Sequence, residues 1–280
     1  MTAVAHKPLI AAVQTNSHGD LQSRLDRTAD LCRQASERGA KLVVLPENFA
    51  YFGEKDTAGI ADREATGKGV ARQFLSDLAR QYELWIVGGT LPLWDRSGKG
   101  GAPGKPPFAS TLIYSDKGEE LYRYDKIKLF DVSIPEQNFH YRESDTFTPG
   151  NGKTLVFNSP AGKVGVLVCF DLRFPRLALE LANKGVEIIV APSAFTRETG
   201  EKHWKLLLRA RAIDTLSYVV GPNLAGRKRS KKATWGGSAI VDPWGEVLAE
   251  MGDEEGIITA VIDLERQKQI RARMPLLKKD

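Results

Sequence analysis

Short apolar runs alternate with stretches of helical spacing along almost the whole chain, and that rhythm restricts the fold more than any other feature. Pro8 to Thr15 (PLIAAVQT), KLVVLPEN, LWIVGGTL, VEIIVAPSAF and SYVVGPN each read as a buried strand. Between them, Asp20 caps a helix running to about Glu37 and ending near Gly39. Gly67 to Gln81 has helical spacing, with Val70, Phe74, Leu75 and Leu78 on one side. Further helices are predicted after Pro175 to about Asn183, from Glu201 to Leu216, and from Leu264 to Arg273. STLIYSDKGEELYRY and KTLVFNSPAGKVGVLVCF read as hairpins, turning at Asp116-Lys117-Gly118 and Pro160-Ala161-Gly162; GSAIVDPWGEVLAE turns at Asp242 to Gly245. Strands joined by both hairpins and helical crossovers predict an α/β fold of mixed sheets covered by helices. The Gly/Pro-rich stretch at 95–107 is too short for a domain linker, so residues 1–280 are read as one domain.

Composition narrows the function classes. The hydrophobic fraction is 42% and the charged fraction 27%, which argues against disorder. Only Cys32 and Cys169 are present, so a disulfide framework is excluded and a reducing, cytoplasmic setting is expected. The four histidines have no metal-ligand spacing, and neither GxGxxG nor a P-loop occurs, so no metal or nucleotide cofactor is expected. No apolar run is long enough for a membrane helix, and the opening apolar stretch stops at Gln14, Thr15 and Asn16, as a first strand does and a signal peptide does not. A net charge of +5 is mild. It favours anionic small molecules but is no nucleic-acid signature. The basic stretch GRKRSKK (226–232) lacks stacking aromatics and reads as a solvated loop, or as a fringe that draws in an anionic substrate.

Four side chains are candidates for chemistry. Cys169 ends the apolar run VGVLVC just before helical patterning resumes, where a nucleophile is held clear of a sheet and near backbone N–H donors. Taken alone, the favoured reading is a small core hydrophobe, as most isolated cysteines are. Glu47 follows the strand VVLP, at the kind of strand end where α/β ligand sites collect. Lys126 lies in YRYDKIKLFDV, whose alternation puts Tyr124, Lys126 and Lys128 on one side; a solvated strand face is the bland alternative. Glu143, in YRESDTF, is unremarkable in isolation.

The segments LPENF, YDKIKLFD and VLVCFDLRFP occur in that order, together with HWKLLLRARAIDT and GGSAIVDPWGEVLAE. In these blocks, from AAVQTN to the ID near residue 263, the chain resembles the nitrilase, or carbon–nitrogen hydrolase, superfamily. The resemblance implies a four-layer α-β-β-α sandwich, a Glu–Lys–Cys triad at Glu47, Lys126 and Cys169, and a second glutamate at Glu143, with Glu136 as a weaker alternative. It also implies a homodimer. The YDKIKLFDV and YRES segments resemble the Nit subgroup, whose two activities are deaminated-glutathione amidase and ω-amidase. PSAFTRETGEKHWKLLLRARAIDT with AGRKRSKKATWGGS is similar to the first; ω-amidases tend to carry Gly where Ser193 stands. Lys128 departs from the His common in relatives. Hydrolysis of deaminated glutathione through a Cys169 thioester is therefore the leading expectation, with an ω-amidase acting on α-ketoglutaramate, a nitrilase, and a non-catalytic scaffold as alternatives.

The same residues fit that chemistry. A thiolate is the reactive form of cysteine; Lys126 favours it, and Glu47 can take the thiol proton. Lys126 and the backbone N–H of Phe170 are expected to hold the oxyanion. Arg173 is either a binder of a substrate carboxylate or, the favoured reading, a structural ion pair locking the turn; Asp171 is read the same way. Thr196 is expected in the pocket. Trp204 and Cys32 are expected to pack.

Overall fold

The computed structural model describes residues 7–65, 69–95, 105–134, 139–226 and 233–276. The stretches 96–104 and 227–232 and the alternative Glu136 lie outside the described residues.

Strand β1 (Leu9–Gln14) enters helix α1 (Leu21–Glu37), whose first turn is closed by Asp20 accepting from the Ser23 N–H at 2.8 Å. Strand β2 (Ala40–Val44), helices α2 (Thr57–Glu64) and α3 (Val70–Gln81), and strands β3 (Trp85–Val87), β4 (Leu91–Leu93), β5 (Phe108–Tyr114) and β6 (Glu120–Asp125) follow. A separate hairpin, β7 (Asp131–Ile134) and β8 (Phe139–Arg142), comes next. The second half runs β9 (Val156–Ser159), β10 (Gly162–Val166), α4 (Pro175–Asn183) and β11 (Ile188–Val190). Then α5 (Arg197–Thr199) passes through a π turn, Gly200–Trp204, into α6 (Lys205–Thr215). Strands β12 (Tyr218–Gly221), β13 (Ala239–Val241), β14 (Val247–Glu250) and β15 (Gly256–Val261) and helix α7 (Leu264–Arg273) complete the described fold.

Two sheets result. The first has the order β15-β1-β2-β3-β5-β4, with β6 also on β5; the second has the order β14-β13-β12-β11-β10-β9. Each has a parallel centre, β1-β2-β3 and β10-β11-β12, with antiparallel flanks. Strand alternation explains the layering. Ile10, Ala12, Leu42 and Val44 face a core shared with Val164 and Val166 of the second sheet. Their neighbours Ala11, Val13 and Val43 face α1 and α3, against Leu25, Cys32, Leu75 and Leu78. Leu177 and Leu181 of α4 and Leu208 and Ala212 of α6 cover the second sheet. The result is the expected α-β-β-α sandwich.

Three local readings are corrected. LWIVGGTL is two strands, because Gly88 and Gly89 break it and Gly89 takes φ +58°. Val70 is 53% exposed, at the very start of α3, where the apolar stripe has not yet reached the sheet. The strand in YRYDKIKLFDV stops at Asp125, so Lys126 and Lys128 do not share a strand face.

Candidate active site

The parallel centres of both sheets send their C-terminal ends to the same region, where ligands of open α/β sheets gather. Glu47 leaves the first sheet after β2. Leu45 still pairs with Val87, Pro46 ends the strand, and Asn48 turns at φ +56° with its N–H bonded to the Thr90 hydroxyl at 2.9 Å. Lys126 follows β6, its N–H bonded to Ala109 and its carbonyl accepting from Gly150. Cys169 follows β10 at φ +47°, a left-handed conformation that costs a non-glycine residue strain and persists only where neighbours enforce it. The bond from the Cys169 N–H to the Pro192 carbonyl at 2.9 Å is one such restraint.

Glu143 arrives by the β7–β8 hairpin, whose base pairs the Glu143 N–H with the Phe130 carbonyl while the Phe130 N–H donates to Glu143 Oε2 at 2.6 Å. Lys126 Nζ then lies 2.8 Å from Glu47 Oε1 and 2.8 Å from both oxygens of Glu143. Lys126 is 1% exposed, Glu47 3% and Glu143 6%, so this is a buried cation between two carboxylates, not a solvated face.

Burial works against the charge on Lys126, but Glu143 and Glu47 overrule it and hold the ammonium well above the ordinary lysine range. Burial raises Glu143, with Lys126 opposing it less strongly. Burial, reinforced by the charge of Glu47, pushes the Cys169 thiol well above the usual cysteine range, and Lys126 pulls it down by less. The resting pair is therefore thiol and ammonium. A base must remove the thiol proton as the sulfur attacks, and Glu47 is the carboxylate whose charge the thiol feels most.

A cavity of about 310 Å³ is lined by Glu47, Lys126, Glu143 and Cys169 together. Phe170, Arg173 and Thr196, all expected near the site, line it as well. The Phe170 N–H lies in the first turn of the 3₁₀ segment Cys169–Arg173, where backbone donors have no partner within the helix. Arg173 corrects the ion-pair reading. Among the described residues it meets no carboxylate; it contacts His203 Nδ1 at 3.2 Å and lies over the rings of Phe195 and Phe170. Its side chain lines the cavity. Asp171 does lock the turn, but through neutral donors.

Trp204 packs, buried against Phe195 and bonded to the Gly237 carbonyl, and Cys32 is fully buried on the inner face of α1. Ser193 is buried and bonds the Ala191 carbonyl, outside the cavity wall. Tyr51, Thr57, Tyr141, Thr199 and Thr234 line the cavity without having been foreseen. They come from separate places, Thr57 opening α2, Tyr141 in β8, Thr199 in α5 and Tyr51 and Thr234 between elements, and no spacing in one sequence marks such a set.

The carbon–nitrogen hydrolase family model matches residues 9–272. A deaminated glutathione amidase of Synechocystis sp. is 38% identical over 273 residues, covering 96% of each chain. The omega-amidase NIT2-B of Xenopus laevis is 37% identical over 254 residues, covering 90% of this chain and 87% of that protein. The crystal structure of Saccharomyces cerevisiae Nit3, a member of branch 10 of the nitrilase superfamily, superposes with a TM-score of 0.84 at 33% identity, covering 98% and 96% of the two chains.

Proposed function

The chain belongs to the carbon–nitrogen hydrolase family, and from that premise we propose that it is an amidase that cleaves deaminated glutathione with Cys169 as nucleophile. The observation that carries the chemistry is Lys126 Nζ held 2.8 Å from both Glu47 and Glu143 in the wall that Cys169 shares. Glu47 takes the thiol proton as Cys169 Sγ bonds to the amide carbon. The Lys126 ammonium and the Phe170 N–H hold the oxyanion. Glu47 returns the proton to the departing nitrogen, so cysteinylglycine leaves and a thioester remains. Glu47, beside Glu143, then draws a proton from water as that water attacks the thioester. The keto acid departs and the thiol is restored.

Arg173 lines the cavity with no acid of its own among the described residues, and both candidate substrates carry a carboxylate for it to bind. The size of the cavity favours the larger substrate: it reaches from Tyr51 and Thr57, which follow β2, to Thr196 and Thr234, which lie between strands of the second sheet. The similarity to an omega-amidase keeps α-ketoglutaramate as the competing substrate. No helix among the described residues is long and apolar enough to cross a membrane. The reading also includes a cytoplasmic homodimer, which gel filtration with light scattering tests.

The deciding experiment is a paired assay on the purified protein. One arm follows cysteinylglycine release from deaminated glutathione; the other follows ammonia release from α-ketoglutaramate. The expected result is a kcat/KM preference for the first of at least about tenfold, roughly 1.4 kcal/mol of discrimination. Cys169→Ala is expected to abolish both and keep the wild-type Tm. A preference for α-ketoglutaramate moves the protein to the ω-amidase branch. Turnover that survives Cys169→Ala removes the mechanism.

A further inference from the structure

Asp171 is fully buried, yet no part of the mechanism above uses it. Among the described residues no Lys or Arg pairs with it. Both of its oxygens are satisfied by neutral donors: Oδ2 accepts from the Tyr124 hydroxyl at 2.7 Å and from the Val168 N–H at 2.9 Å, and Oδ1 accepts from the Lys128 N–H at 2.8 Å. The identity of those donors is informative. Tyr124 stands two residues before Lys126 and Lys128 two after it, while Val168 immediately precedes Cys169. One carboxylate thus grips the lysine segment on both sides of Lys126 and the cysteine turn just before Cys169.

That grip crosses the sandwich. Tyr124 belongs to the first sheet, and the Cys169 turn leaves the second. Packing of apolar faces alone leaves two sheets some freedom to slide. A buried carboxylate with fixed lone-pair directions does not, because every donor it loses stays unsatisfied in an apolar core. It also supplies a restraint that the left-handed Cys169 backbone requires, since the Val168–Asp171 bond closes the turn on its N-terminal side. We propose that Asp171 is a positioning residue, a clamp that sets Lys126 against Cys169 across the two sheets. The inference rests on the amidase reading, and its test separates the two.

Two substitutions probe the clamp. Tyr124→Phe removes one donor and keeps the ring. Asp171→Asn keeps the shape, but in either orientation its amide N–H₂ meets a backbone N–H, at Lys128 or at Val168. Leu31→Ala, in α1 on the far side of the first sheet, is the control for lost stability alone. Kinetics are measured well below each variant's Tm, on whichever of the two substrates the wild type takes. The rate of Cys169 alkylation by iodoacetamide is followed in parallel by mass spectrometry.

The expected result is a kcat lower by about tenfold in Tyr124→Phe and about 10²-fold in Asp171→Asn, with KM within about threefold, as for displaced catalytic groups. The alkaline limb of kcat against pH moves to lower pH in both, because Lys126 shifts away from the carboxylates that hold its proton. Alkylation of Cys169 changes rate in both variants. Leu31→Ala loses Tm but keeps the wild-type kcat, pH profile and alkylation rate. A Tyr124→Phe variant with wild-type kcat, pH profile and alkylation rate overturns the clamp while leaving the amidase reading intact, and it does so even if Asp171→Asn fails to fold. A wild-type Cys169 as inert to iodoacetamide as the buried Cys32, with no turnover of either substrate, overturns both.

Discussion

Lys126 shows how one side chain can serve chemistry and stability through the same contacts. It is the only cation that Glu47 and Glu143 bond among the described residues, and all three are nearly excluded from water. Lys126→Ala therefore has two expected effects. The oxyanion loses a donor, which costs about 10²–10³ in kcat. The two carboxylates lose their counter-charge, and breaking a buried pair in this way costs about 3–5 kcal/mol. The pH dependence distinguishes this from loss of packing. The folded-state pKa of Lys126 is raised, so its stabilisation is fully present below its unfolded value, about 10.4, and is lost as pH rises through the folded value. In the variant, Glu143, which burial already raises, is left without a cation, and its protonation as pH falls relieves it. The Tm gap between wild type and Lys126→Ala is therefore widest near neutral pH and narrows in acid and above about pH 10. Thermal scans from pH 5 to 11 check this; a gap that is flat across the range would assign the loss to packing instead.

At the scale of elements, the site depends on strand ends being held closely by neighbouring backbone. The Gly150 N–H donates to the Lys126 carbonyl, and a Cβ on Gly150 would stand 2.2 Å from the Asp125 carbonyl oxygen and 3.2 Å from that of Lys126. All of these atoms are backbone, which leaves nothing flexible to yield. Gly150→Ala is expected to push the end of β6 aside and lower kcat by about 10²-fold, with a smaller change in KM. Steady-state kinetics decide it, and an unchanged kcat would mean that Lys126 does not follow the strand end. This crowding also marks what one sequence can disclose. The α1 cap at Asp20, the hairpin at Gly118 and the start of α4 at Pro175 were legible because a local residue type enforces each. Glu47 and Cys169 were legible as polar residues closing apolar runs, although only the resemblance to a family joined them to Lys126. The β7–β8 hairpin, which returns Glu143 to Lys126, was not legible, and neither was helix α2 beside the cavity. Arg173 was read as an ion pair because an arginine at a folded turn usually has an acid, and nothing local shows that it meets none among the described residues.

At the scale of the molecule, the two sheets meet through one core, so neither half is a plausible independent unit. Residues of β1 and β2 share a cluster with residues of β9 to β13, and Trp85 of β3 stacks on Phe157 of β9 across the interface. The chain also closes on itself. Strand β15, from the far end, pairs antiparallel with β1 along its whole length, from Leu9 with Val261 to Gln14 with Gly256. The side chain of Gln14 then bonds the Gly252 and Glu254 carbonyls and accepts from Ser238, joining the end of β1 in the first sheet to the segment just before β13 in the second. Separating the sheets would expose the inner apolar face of each, at roughly 25 cal/mol for every Å² bared. The site would be lost with it, since Lys126 comes from one sheet and Cys169 from the other. Reading residues 1–280 as one domain therefore carries a thermal prediction. Calorimetry of the purified protein is expected to show one heat-absorption peak, with activity disappearing over the same temperature interval. Cys169→Ala, which keeps the core, should melt in the same single step. Two resolved peaks, or activity lost well before the main transition, would mean that the sheets part before they unfold. Alignment of Lys126 with Cys169 would then rest on contacts weaker than the shared core and the Asp171 clamp.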